Sequence, residues 1–138
     1  GFLTHVGYLA GSEDYYHGKQ GTVHDMWLDR LPGFQVVKEM DYSANYYSTT
    51  AAKLIEQHDQ TNPMFMYFAI QNVHSPYELP EAFETKEYPK MWDKTYANML
   101  HMLDSAVANL TTALQSAGMW DNTLLLFTAD NGGIGRGN

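Results

Sequence analysis

Leu124-Leu125-Leu126-Phe127-Thr128-Ala129-Asp130-Asn131-Gly132-Gly133 is an apolar run of strand length that stops at an Asp-Asn pair followed by two glycines. Such a run reads as a buried strand that delivers a carboxylate and a carboxamide to the edge of a sheet. The glycines let the backbone turn sharply or approach something bound there. The oxygens of Asp130 and Asn131 are hard donors, suited to Ca²⁺ or Mg²⁺. Asp, Asn and Gly are equally the residues of an ordinary polar turn, and these ten positions alone leave both readings open.

Immediately upstream lies the clearest helical pattern of the chain, residues 94–117. Asp93 is the candidate N-cap, and Tyr96, Met99, Leu100, Leu103, Val107, Leu110, Leu114 and Ala117 repeat at the three- and four-residue spacing of one apolar face. Gly118 stands where a C′ glycine belongs. At 1.5 Å per residue the helix is roughly 36 Å long, enough to cross a sheet. Before it comes a second apolar run, Met64-Phe65-Met66-Tyr67-Phe68-Ala69-Ile70, bounded by Pro63 and by Gln71-Asn72. That run suits a strand covered on both faces, as in a parallel sheet. Strand, helix, strand is a βαβ unit, whose two strands are expected to be parallel with a right-handed crossover. Their carboxyl ends then open on the same sheet edge, where ligands of open α/β sheets bind. His74 follows one end and Asp130-Asn131 the other. A lone histidine in a loop is ordinarily a solvated residue. An imidazole beside a carboxylate and an amide is instead a site for hydrolysing a charged ester.

The remaining segments are less patterned. Residues 48–58 are expected to form a helix, with Ser48 as N-cap, ending before Asn62-Pro63. Residues 1–22, rich in Gly and Tyr, read as loop and short turns. Within them Glu13, Asp14 and His17 suggest metal ligands, against which stands a simpler reading as an Asp-capped turn with aromatic packing. Pro32-Gly33 signals a turn, and Phe34 to Val37 a short edge strand. The Pro-punctuated stretch after Ile70, through Pro80 and Pro89, is long enough to be functional. Asn109-Leu110-Thr111 is an N-glycosylation sequon, and Asn109 falls off the apolar stripe toward solvent.

Composition bounds the function. The 138 residues fit one domain, with 44% hydrophobic and 17% charged residues. A net charge of −8 argues against a nucleic-acid partner. The six histidines form no HxH or HExxH pair, and no apolar stretch approaches the length of a membrane span. There is no cysteine, hence no disulfide, thiolate zinc site or cysteine nucleophile within these residues. No initiating Met or signal peptide is present, and the chain is expected to be cut at both ends.

The motifs taken together resemble the type I sulfatases. Thr128-Ala129-Asp130-Asn131-Gly132-Gly133 and Asn72-Val73-His74-Ser75-Pro76 each follow an apolar run. Gly7-Tyr8-Leu9-Ala10-Gly11-Ser12-Glu13-Asp14-Tyr15-Tyr16 narrows the resemblance to the arylsulfatase B-like group (N-acetylgalactosamine-4-sulfatase and relatives). The likeness runs along the whole chain and is weakest over residues 18–44. It implies an alkaline-phosphatase-like α/β fold, a mostly parallel sheet flanked by helices, of which residues 1–138 are the central part of a single catalytic domain. It implies calcium-dependent hydrolysis of a sulfate ester, on a sulfated small molecule or glycosaminoglycan such as one bearing N-acetylgalactosamine 4-sulfate. One Ca²⁺ would take Asp130 and Asn131 as ligands. His74 would be both catalytic and substrate-binding, contacting the sulfate near the leaving-group oxygen.

Several parts of the family pattern do not occur within these residues. The formylglycine nucleophile is made from a C/S-x-P-x-R motif, which is lacking here. The upstream Asp pair of the calcium site, the Gly-Lys-x-His segment and a downstream sulfate-binding Lys are expected outside this chain. So is the substrate of a formylglycine-generating enzyme, a partner of the full-length protein. The isolated segment is expected to be inactive. Further departures are the lack of cysteines over 18–44 and the tail Ile134-Gly135-Arg136-Gly137-Asn138. The family and the sequon point to a lysosomal or secreted glycoprotein. Two alternatives are a non-catalytic sulfatase-like binding protein and a phosphoesterase of the same superfamily. The pairing of Asp130-Asn131 with His74 speaks against the phosphoesterase, which would need more His and Asp ligands for two zinc ions.

Overall fold

A computed structural model describes residues 1–30, 34–36, 40–80 and 94–132. Two helices form its spine. Helix α1 spans Ser43–Glu56 and helix α2 spans Lys94–Ser116. Ala44 at the start of α1 clusters with Met99 and Met102 near the start of α2, and Ile55 clusters with Ala113 and Leu114 near both carboxyl ends. The helices therefore run in the same direction. Alanines at 44, 51, 97, 106 and 113 are all buried, so the two backbones approach closely. Between the two clusters, Asn109 Nδ2 donates to Ser48 Oγ at 3.2 Å.

Helix α1 starts five residues before the expected position. Ser48 is not its cap but an interior residue, 1% exposed, whose hydroxyl donates back to the Asn45 carbonyl at 3.2 Å. Tyr42 occupies the N-cap position without a side-chain capping bond. A tertiary contact replaces the cap: the Ser43 amide donates to the Tyr15 carbonyl at 2.8 Å. The buried series Ala44, Tyr47, Ala51, Ile55 continues the helical face back through the missing turn. Helix α2 matches its expected span within a residue, and Asp93 lies outside the described residues. Its carboxyl end is a Schellman cap: Gly118, at φ +69°, donates to Gln115, and Met119 donates to Leu114 at 2.9 Å. The side chain of Gln60 secures the same end by donating to the Ala117 carbonyl at 2.8 Å.

The buried face of α2 keeps Met99 and Leu114 of the expected stripe, with Leu110 and Ala117 packed beside them, but it also takes in smaller neighbours. Met99, Met102, Ala106 and Ala113 are buried, whereas Leu100, Leu103 and Val107 line an open groove with Phe127.

The sheets formed by the described residues are antiparallel and lie outside the two apolar runs. Strands β1 (Thr4–Gly7), β4 (Trp27–Arg30) and β5 (Phe34–Val36) form an antiparallel sheet in the order β1-β4-β5. Strands β2 (Lys19–Gln20) and β3 (Val23–His24) form a hairpin around Gly21, whose φ of +62° opens the two-residue turn. The short edge strand expected near Phe34 is β5. The strand β1 and the hairpin lie in what reads by sequence as loop.

Neither apolar run makes a sheet ladder among the described residues, so the parallel sheet is not observed. Residues 64–70 nevertheless keep the period of a strand. Met64, Met66, Phe68 and Ile70 are half-buried, and Phe65, Tyr67 and Ala69 are exposed. The inward side chains Met64, Met66 and Ile70 pack on the two helix clusters. One face is thus covered by helices and the other is open, rather than both being covered. Residues 123–129 are exposed throughout. A ladder needs a partner strand, and the described residues supply none beside these runs.

Candidate functional site

The two apolar runs share a direction. Met64 and Met66 pack against Ala113 and Leu114, while Ile70 packs against the cluster of Met99 and Met102. The first run therefore travels from the carboxyl end of α2 toward its amino end. The second leaves the 3₁₀ turn Trp120–Asn122 just after α2 and brings Phe127 beside Leu100, Leu103 and Val107. Both runs thus finish toward the amino end of α2, where His74 follows one and Asp130-Asn131 follow the other. No hydrogen bond or ion pair joins His74 to Asp130 or Asn131 among the described residues.

His74 is exposed, yet its backbone and ring are both held. Its amide donates to the Gln71 carbonyl at 2.9 Å, and its Nδ1 lies 2.7 Å from the Ser75 carbonyl. A carbonyl only accepts, so Nδ1 carries a proton and Nε2 is the nitrogen available to a ligand.

The loop behind His74 is anchored on residues that motif reading passed over. Gln71 and Asn72, both buried, end the apolar run. Gln71 Nε2 donates to the Glu13 carbonyl at 2.6 Å, and Asn72 Nδ2 donates to the Met99 carbonyl at 3.1 Å and to the Tyr42 hydroxyl at 3.3 Å. From the other side, the Tyr15 hydroxyl donates to the His74 carbonyl at 2.7 Å, with the Gln71 carbonyl at 3.3 Å. The Tyr42 hydroxyl donates to the Glu78 carbonyl at 2.9 Å, the Tyr16 hydroxyl donates to the Leu79 carbonyl, and the Tyr15 amide donates to Glu78 Oε2 at 3.1 Å. Tyr15 and Tyr42 stack at 5.1 Å between centroids, and Tyr16 meets Tyr42 edge-on at 5.7 Å. Burial raises the Tyr15 phenol well above its ordinary value and pushes Tyr42 up to about 12, so both hydroxyls remain donors. Sequence shows only the residue types here, a run ending in Gln-Asn and an acidic pair followed by two tyrosines, with nothing in local spacing to join them.

Glu13, Asp14 and His17 do not form a metal centre, and among the described residues no three His, Asp or Glu side chains are grouped to hold an ion. Asp14 caps a turn instead. Its Oδ1 accepts from the amides of Tyr16 and His17 at 2.9 and 2.6 Å, and its Oδ2 accepts from the Lys19 amide at 3.2 Å. Burial acts to raise the Asp14 pKa, but these bonds and the His17 ring outweigh it and hold the carboxyl low. Glu13 is 2% exposed and takes one bond from Tyr47. Asp25 plays a similar turn-holding part, accepting from the amides of Leu9 and Ala10 and from the Trp27 indole.

Asp130 and Asn131 sit in an exposed turn. The Asn131 amide donates to Asp130 Oδ1 at 2.8 Å, and Asn131 Nδ2 donates to the Gly132 carbonyl at 2.9 Å. Asp130 Oδ2 and Asn131 Oδ1 keep no partner among the described residues. Two hard oxygens from adjacent residues fit a calcium ion as part of its shell, and six to eight are required. Two oxygens alone are too few to hold the ion.

The sulfatase family model matches residues 1–137. The chain belongs to the sulfatase family. Among its relatives, arylsulfatase J of Mus musculus is 34% identical over 96% of this chain and 23% of its own length. Arylsulfatase A of Homo sapiens is 30% identical over 74% of this chain and 18% of its own. N-acetylgalactosamine-6-sulfatase of Mus musculus is 30% identical over 62% of this chain and 16% of its own. The chain thus spans about a quarter or less of the curated sulfatases it matches. No described helix is long and apolar enough to cross a membrane.

Proposed function

We propose that these residues are the central segment of a calcium-dependent sulfatase domain of the arylsulfatase B-like group, cut at both ends, which hydrolyses a sulfate ester on a sulfated sugar such as N-acetylgalactosamine 4-sulfate. The observation that carries this reading is the common direction of the two apolar runs in a chain of the sulfatase family. It sends His74 and Asp130-Asn131 toward one end of α2. The parallel sheet of an alkaline-phosphatase-like fold is the arrangement in which these two runs would pair.

In this reading Asp130 and Asn131 supply oxygens to one Ca²⁺, which when bound offsets the charge of the sulfate group. His74 acts through Nε2. With Nδ1–H fixed on the Ser75 carbonyl, a protonated ring donates Nε2–H to the ester oxygen and gives up that proton as the leaving alkoxide forms. The ring then returns to the neutral Nδ1–H tautomer. The nucleophile, a formylglycine installed by a formylglycine-generating enzyme, lies outside these residues in this proposal. A segment of charge −8 does not itself attract a polyanion, so the metal and cations from elsewhere in the protein do so. Residence in the lysosome or outside the cell, with a glycan on Asn109, completes the proposal.

Calorimetric titration of the full-length protein with Ca²⁺, before and after Asp130→Ala, is paired with turnover of 4-nitrophenyl sulfate. Calcium binding lost on substitution, together with turnover, is the expected result. Calcium binding without turnover of this or any sulfated sugar replaces the hydrolase by a non-catalytic binding protein. Undiminished calcium affinity in Asp130→Ala removes the proposed ligand.

A further inference from the structure

We infer that Tyr15 is a positioning residue for His74, setting the orientation of its imidazole from below the loop. The inference rests on the proposed role of His74 and goes beyond it, because it assigns the Glu13–Tyr15 turn, some sixty residues away in sequence, a part in the reaction.

The geometry is specific. A tyrosine hydroxyl has one proton, and the shorter of its two contacts, 2.7 Å against 3.3 Å, goes to the His74 carbonyl. That carbonyl belongs to the peptide linking His74 to Ser75. Holding its oxygen restrains rotation of that peptide, which lies between the His74 Cα and Ser75, the residue whose own carbonyl holds Nδ1. Tyr15 itself cannot drift. It is fully buried, its ring is stacked on Tyr42, its amide is bound to Glu78 and its carbonyl takes the first amide of α1. Two residues earlier in the same turn, the Glu13 carbonyl receives Gln71 Nε2 at 2.6 Å, gripping the loop at the residue whose carbonyl takes the His74 amide. The turn therefore holds the loop on both sides of the histidine while leaving the ring exposed. Raising of the phenol pKa by burial keeps the Tyr15 proton in place throughout the physiological range.

The test is a double-mutant cycle on the full-length protein with 4-nitrophenyl sulfate. Tyr15→Phe keeps the stacked ring and removes the hydroxyl. It is expected to lower kcat by about 10- to 100-fold, the scale of a misplaced catalytic group, with KM little changed. In a His74→Ala background the same substitution is expected to lower kcat no further, because there is no imidazole left to misplace. An unchanged kcat in Tyr15→Phe, while His74→Ala is impaired, overturns the inference. An equal loss in both backgrounds overturns it too, since the hydroxyl then acts only on stability. If His74→Ala itself keeps full kcat, the role of His74 falls and the inference falls with it, a result distinct from the other two. Should Tyr15→Phe not fold, Gln71→Leu carries the same cycle, with the same expected non-additivity and the same overturning results.

Discussion

The Tyr47 hydroxyl donates to Oε1 of Glu13 at 2.8 Å, and Oε2 of the same buried carboxyl has no hydrogen-bond partner among the described residues. A carboxylate held by one bond inside a fold is more costly than the neutral acid. Burial drives the Glu13 pKa up, the Tyr47 bond pulls it back, and the charges of Asp14 and Asp25 push it further, to about 7. The Tyr8 phenol pKa is raised by burial and by the charge of Glu13.

The sign of the resulting pH dependence follows. Glu13 binds its proton more tightly in the folded chain, so folding is favoured below the ordinary value of 4.5. That stability is lost as pH rises through about 7. Glu13→Gln should flatten the stability profile over this window. Its stabilisation at pH 7.5 should be on the order of 1–3 kcal/mol. Urea unfolding at several pH values checks it, and a profile of unchanged slope in the variant refutes it.

Glycine is required at position 18 twice over. Its φ is +58°, and a Cβ built there would lie 2.4 Å from Met26 Cγ and 2.8 Å from Met26 Cβ. Met26 is fully buried and cannot swing aside. Gly18→Ala is expected to cost about 2–4 kcal/mol, left-handed strain plus overpacking. Gly21→Ala has similar strain at φ +62° but open space, and should cost about 1–2 kcal/mol. Thermal unfolding of the two variants side by side measures the difference.

Asn109 joins the helices through Ser48 Oγ and is also the asparagine of the sequon. Asn109→Ala is expected to cost about 1 kcal/mol in unglycosylated protein, and Ser48→Ala a comparable amount. The pair should be less than additive in a cycle. A glycan would replace one hydrogen of Nδ2 and leave the other for Ser48. Thr111→Ala in protein made through a secretory host is expected to remove one glycan by mass without loosening the helix pair.

The 138 residues by themselves are expected to show no turnover of 4-nitrophenyl sulfate, with or without Ca²⁺, because no formylglycine precursor motif lies within them. Turnover by the isolated chain at a rate above that of its His74→Ala variant contradicts the proposed need for a nucleophile supplied from elsewhere.

The long helix was legible because periodicity, a C′ glycine and length all agreed. The face it buries was legible only in part, at Met99 and Leu114. Sequence ranks Leu103 and Val107 above Ala106 and Ala113, but a close helix pair selects small residues, and the larger ones are left in the groove with Phe127. The start of α1 escaped for a related reason, since a backbone bond to Tyr15 does the work for which a side-chain cap was sought. Strands of two to four residues, such as Lys19–Gln20, carry too few positions for alternation to register. Of the site, the chemically marked residues His74, Asp130 and Asn131 were visible as types at strand ends. What holds His74 was not, because a tyrosine hydroxyl reaching a carbonyl 59 residues away leaves no mark in local spacing.

The uncovered side of the first apolar run has a practical corollary for anyone preparing this polypeptide. Phe65 and Tyr67 are 80% and 74% exposed, as are Leu124, Leu126 and Phe127 at 84%, 82% and 71%. Ring and leucine surfaces of this extent, beside backbone with no ladder partner among the described residues, are adhesive toward their own kind. The negative charge of the chain keeps copies apart only while its field reaches across the gap, about 30 Å in 0.01 M salt and about 8 Å at physiological strength. Dilute, low-salt, mildly alkaline buffers should therefore keep the polypeptide dispersed, and added salt should cloud it.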